Sequence, residues 1–117
     1  MLFRGLLGIA FGLVVALPAW AGPDGAELYV RKGCIACHRM KGVPGATGTM
    51  GADLTKFWKP VKGEPPKDPR EIAAFIKDPR LNNPNTSMPT IGLTSEEAAA
   101  IATYLLSKDK PAPSSKK

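Results

Sequence analysis

Five consecutive residues, Cys34-Ile35-Ala36-Cys37-His38, hold both cysteines and the only histidine of the 117-residue chain. Two thiols three positions apart, followed at once by an imidazole, form the C-x-x-C-H pattern of covalent haem attachment. In that chemistry Cys34 and Cys37 form thioethers to two vinyl groups on one porphyrin edge, and the His38 imidazole reaches the iron as proximal ligand. Other uses of these residues explain less. A dithiol redox pair of the thioredoxin kind expects a strand–helix–strand setting, which the sequence lacks. A zinc site needs four ligands, and no further Cys or His exists to complete one. A structural disulfide suits an oxidising compartment but leaves His38 without a role.

With one histidine in the chain, a second axial ligand has to come from another residue type, and methionine sulfur is suited to it. Met40 follows His38 by two residues and cannot reach the opposite face of the ring. Met50 lies in the glycine-rich stretch 41–51, a loop able to cross the ring edge; its plainer reading is a wall or loop methionine. Met88 comes fifty residues after His38, beyond a helix that can wrap the haem. Pro89 stiffens its loop without needing an amide donor. Met88 is therefore the expected distal ligand, with Met50 or an open, water-ligated iron as the alternatives.

The elements that must hold these groups are helical. Asp24 with Glu27, Asp68-Pro69 with Glu71, and Thr94 with Glu97 are capping-box patterns. They predict helices over about Gly25–Lys32, from Pro69 to a stop at Asp78-Pro79, and from Thr94 to about Ser107. Ile72, Phe75 and Ile76 form the apolar stripe of the second, and Ala98, Ile101, Ala102 and Leu105 that of the third. Residues 41–51, 57–68 and 81–92 read as irregular loops, and no stretch alternates with period two. The predicted fold is all-α: a small domain of about three main helices wrapped around one covalently attached haem.

Residues 1–21 stand apart from this domain. A short basic start, an apolar run over Leu6–Leu17 and the Ala19-Trp20-Ala21 site have the layout of a secretory signal peptide cleaved after Ala21. The run is shorter than the roughly 20 residues of a membrane-spanning helix. An uncleaved tether is the weaker alternative. The expected organisation is a leader (1–21), a haem domain (22–109) and a disordered basic tail (110–117). Without the leader, 96 residues remain, with 15 Lys+Arg against 10 Asp+Glu, and only 35 of the 96 are apolar. A chain of this size buries only about 60–70% of its surface. A large apolar cofactor would complete so lean a core.

Beyond the pentapeptide, the chain from about Gly25 to Leu106 resembles the class I cytochromes c, the mono-haem, His/Met-ligated bacterial proteins. Gly25 and Tyr29, four apart, resemble the family's N-terminal helix. Gly51-Ala52-Asp53-Leu54 is similar to its Gly-Pro-Asp-Leu segment with alanine in place of proline. Ser87-Met88-Pro89 resembles its ligand loop and Thr103-Tyr104-Leu105 the aromatic turn of its last helix. Lys41-Gly42-Val43-Pro44-Gly45 resembles the loop whose proline carbonyl accepts the proximal histidine's other N–H, which implies that role for Pro44. Trp58 is expected at the haem edge with its N–H toward a propionate, or else as a plain hydrophobic wall. Tyr29 and Tyr104 are expected to lock the first helix to the last.

The resemblance implies a one-electron carrier with haem c as its cofactor, an electron-transfer protein and not an enzyme, and the leader pattern implies that it is periplasmic. The net charge is formally +6 for the whole chain and +5 without the leader. It stays at roughly +3 with two propionates, enough to steer encounter with redox protein partners bearing acidic docking surfaces. Nucleic acid is not an expected partner, and a membrane is expected only through a partner complex or an uncleaved leader. The alternatives are a haem c subunit of a multi-component oxidoreductase, in sulfur-compound oxidation or a respiratory complex, and an open-site haem enzyme or gas sensor.

Overall fold

The computed structural model describes residues 22–110, and Gly12 besides. The expectations for the leader, and for the tail from residue 111 on, lie outside them. Among the described residues the order is α1 (Gly25–Arg31), a 3-10 turn (Cys34–Ala36), α2 (Pro69–Lys77), α3 (Pro79–Asn82) and α4 (Ser95–Leu105), with no strand. No helix among them is long and apolar enough to cross a membrane.

Each main helix begins where its cap places it. The Asp24 carboxylate accepts from the N–H groups of Ala26 and Glu27 at 3.0 and 3.4 Å, satisfying donors that the first turn of α1 leaves open. Asp68 does the same for Arg70 at 2.8 Å, and Pro69 fills a first-turn position that has no amide to satisfy. The full reciprocal box forms at α4. There the Glu97 N–H donates to Thr94 Oγ1 at 3.1 Å, and the Thr94 N–H donates to the Glu97 carboxylate at 3.0 Å. In α1 the corresponding acid, Glu27, faces Arg31 one turn on, at 3.7 Å.

One expectation needs correction. Asp78-Pro79 ends α2, but the chain does not then become irregular: Pro79 opens the single turn of α3. The fixed φ of proline suits the first position of a helix, so one residue both stops α2 and starts the next turn.

The core lies where α4 packs against both α1 and α2. Ala98, Ile101, Ala102, Tyr104 and Leu105 are its buried residues on α4, facing Ala26, Leu28 and Tyr29 of α1 and Ile76 of α2. Gly25 permits the close approach of α1. A Cβ there would strike the Ala100 carbonyl oxygen and lie 2.8 Å from the Tyr104 Cβ. The Tyr29 and Tyr104 rings pack beside this crossing with centroids 5.8 Å apart, tilted by 54°. Lys32 at the end of α1 pairs with Glu97 at the start of α4, 3.4 Å away. The two helices that frame the domain are thus fastened to each other by apolar, aromatic and ionic contacts.

Candidate functional site

α1 delivers the chain directly into the cysteine motif. The Cys37 and His38 N–H groups both turn back to the Cys34 carbonyl, at 3.2 and 2.9 Å, so the motif is one compact turn. Residues 51–55 run beside it. The Gly51 N–H donates to the Cys37 carbonyl at 2.8 Å, and the Leu54 N–H to the Arg39 carbonyl at 2.9 Å. The Lys41 N–H donates to Thr55 Oγ1 at 2.9 Å, and both the N–H and the hydroxyl of Thr55 donate to Asp53. Those two donors, the hydroxyl foremost, hold the Asp53 carboxyl below the usual range.

This second segment orients His38. Its Nδ1 lies 2.7 Å from the Ala52 carbonyl oxygen. A carbonyl can only accept, so the proton is on Nδ1 and Nε2 keeps its lone pair for a metal. The expectation for Pro44 is therefore corrected: the acceptor is Ala52, in the segment where alanine stands for proline, while Pro44 is exposed in the preceding loop. Gly51 supports the ring from one side, because a Cβ there would lie 2.6 Å from Nδ1 and 2.9 Å from Nε2. From α1, the Tyr29 hydroxyl donates to the His38 carbonyl oxygen at 3.0 Å. Tyr29 is completely buried, and that burial pushes its phenol far above the ordinary range.

Cys34, His38 and Met88 line a single apolar cavity of about 100 Å³ that is open on one side. Leu54 and Phe57 come from the loops, Ile72, Phe75 and Ile76 from α2, and Ile101 and Leu105 from α4. Ile91 and Leu93 continue the wall beyond Met88. Both cysteines are unpaired thiols, and burial raises the pKa of Cys34. The donor set fits a haem. The walls are apolar, as the faces of a porphyrin require, while thiol, imidazole and thioether sulfur are what covalent attachment and iron ligation require.

The remaining candidates are placed elsewhere. Met50 is 87% exposed and Met40 is 1% exposed, locked in the core. Trp58 does not line the cavity. It lies in a separate cleft with Pro60, Pro65 and Leu106, and the ammonium groups of Lys59 and Lys108 each lie 5.7 Å from its ring. Its neighbour Phe57 is the aromatic that faces inward. Sequence reasoning missed Ala52, Gly51 and the Tyr29 hydroxyl as the supports of His38. Gly51 and Ala52 did carry a signal, as neighbours inside a family-like segment.

A family model described as Cytochrome c matches residues 23–109. With its helices, cysteine motif and apolar cavity all inside that span, the chain belongs to the cytochrome c family, whose members bind covalently attached haem c and transfer electrons. Neither the curated proteins nor the solved structures searched gave a match to it.

Proposed function

We propose that this protein is a periplasmic one-electron carrier in which His38 and Met88 are the axial ligands of a single haem c. The observation that carries this reading is the meeting of Cys34, His38 and Met88 on the walls of one apolar cavity. Bound there, haem supplies an Fe(III)/Fe(II) couple. Cys34 and Cys37 would hold it through thioethers, and His38 would offer it an Nε2 whose lone pair is set by the bond from Nδ1 to Ala52. Met88 would offer a sulfur that favours ferrous iron, and the apolar walls would exclude water and disfavour the more highly charged ferric state. The positive net charge favours encounter with acidic surfaces on redox partners. The periplasmic assignment rests on the leader pattern of residues 1–21.

Protein purified from its native host tests the reading. Intact mass should show a chain beginning at Gly22 with one haem added. The oxidised protein should show a sulfur-to-iron charge-transfer band. Met88→Ala should abolish that band, lower the reduction potential and open the iron to added cyanide, whereas Met50→Ala should change none of these. A band that survives Met88→Ala would remove Met88 as ligand, and a chain retaining Met1–Ala21 in the membrane fraction would remove the soluble periplasmic assignment.

A further inference from the structure

We propose that the Tyr29 hydroxyl is a positioning group for the proximal ligand: by holding the His38 carbonyl it ties the ligand's backbone to α1, and so to the α1–α4 crossing. The inference rests on the haem reading above, with His38 as the iron ligand. Apart from this bond, His38 is held at three points. Its ring is fixed by Ala52 through Nδ1 and supported by Gly51, and its amide nitrogen returns to Cys34. All three belong to the motif turn or to the segment hydrogen-bonded beside it. The bond from Tyr29 comes instead from a side chain within α1, running from its buried second turn to the ligand's carbonyl over nine residues of chain.

Tyr29 is completely buried and its ring rests on Tyr104. Tyr29 also lines the haem cavity beside Cys34 and His38. One side chain therefore touches the cavity and, through its hydroxyl, the backbone of the ligand. Phenylalanine would fill the same space and pack as well, so the hydroxyl is not needed for the core. Its function is the bond it makes. Tyr104 supplies the contrast: it is just as aromatic and 5% exposed, but its hydroxyl is buried without a hydrogen-bond partner. Removing that second hydroxyl takes away no contact with the ligand.

The test uses the mature haem-loaded protein, once its absorbance and mass show that haem is attached. In the oxidised protein, the paramagnetically shifted haem-methyl and His38 ring resonances report the orientation of the axial ligand. Tyr29→Phe should displace these resonances and speed amide exchange at His38, Gly51 and Leu54 by tenfold or more, relative to amides of α2. Tyr104→Phe should do neither. An unchanged resonance pattern in Tyr29→Phe, or exchange that rises equally in α2, would reduce Tyr29 to a packing residue and overturn the proposal. Should Tyr29→Phe fail to mature, the wild type decides the matter. Its Tyr29 hydroxyl proton should exchange slowly and correlate with the His38 carbonyl carbon, and a rapidly exchanging hydroxyl overturns the proposal. If no haem is attached to the wild type at all, it is the haem reading that falls.

Discussion

Gly51 sets how near the backbone can come to the proximal histidine. Its φ lies outside the left-handed region, so alanine there is conformationally acceptable and the obstacle is steric alone: the added Cβ would meet Nδ1 at 2.6 Å. Gly51→Ala should therefore cost about 1–3 kcal/mol through overpacking, read as a lowered denaturation midpoint of the loaded protein. A midpoint equal to that of wild type would mean that the ring does not rest on this backbone. The residues of the site differ in how far they could be read beforehand. Cys34, Cys37 and His38 declare themselves because thiol and imidazole chemistry is written in side chains. The acceptor for His38 does not, since any residue supplies a carbonyl; Pro44 and Ala52 are chemically equivalent for that purpose, and only the fold separates them. Likewise Phe57 and Trp58 are adjacent in an irregular loop, where no periodicity says which ring turns inward.

At the level of elements, the helices were legible because their starts are encoded locally. Asp24, Asp68 and Thr94 each cap the helix expected from them. α3 was not, because four residues are too few for a hydrophobic period and a proline reads as a breaker before it reads as a first helical residue. The cap of α4 has a further consequence for stability. Glu97 is drawn below the usual carboxylate range, chiefly by the Thr94 N–H and then by Lys32. A carboxylate with a depressed folded-state pKa contributes stability above its unfolded pKa and loses it as the pH falls through the folded value. The melting temperature of the wild type should thus fall through the acidic range more steeply than that of Glu97→Gln, with the two curves converging at low pH. Parallel curves would show that the charge on Glu97 is not used. Thr94→Ala removes the other half of the box and should cost about 0.5–2 kcal/mol in chemical denaturation.

For the whole molecule, the ratio of apolar residues to chain length matters more than any one contact. The cavity between α1, α2 and α4 is walled by residues that, without a large apolar occupant, would face one another across it. Replacing both Cys34 and Cys37 with alanine should prevent covalent attachment and leave a chain that is largely unfolded, since the folded state would lose what binds it preferentially. Circular dichroism and limited proteolysis would measure this, and a protease-resistant, fully helical double variant would show that the polypeptide core suffices.

The pairing of α1 with α4 also orders events in time. Lys32 and Glu97 are 65 positions apart, and closing so long a loop costs about 4 kcal/mol in chain entropy beyond the constant part of that cost. A chain that emerges amino end first exposes Cys34–His38 well before Met88 and α4 exist to cover them. During that interval the thiols would be uncovered by α4, accessible to whatever machinery joins them to a porphyrin. Docking of the last helix after attachment would shut the cavity behind a haem already held.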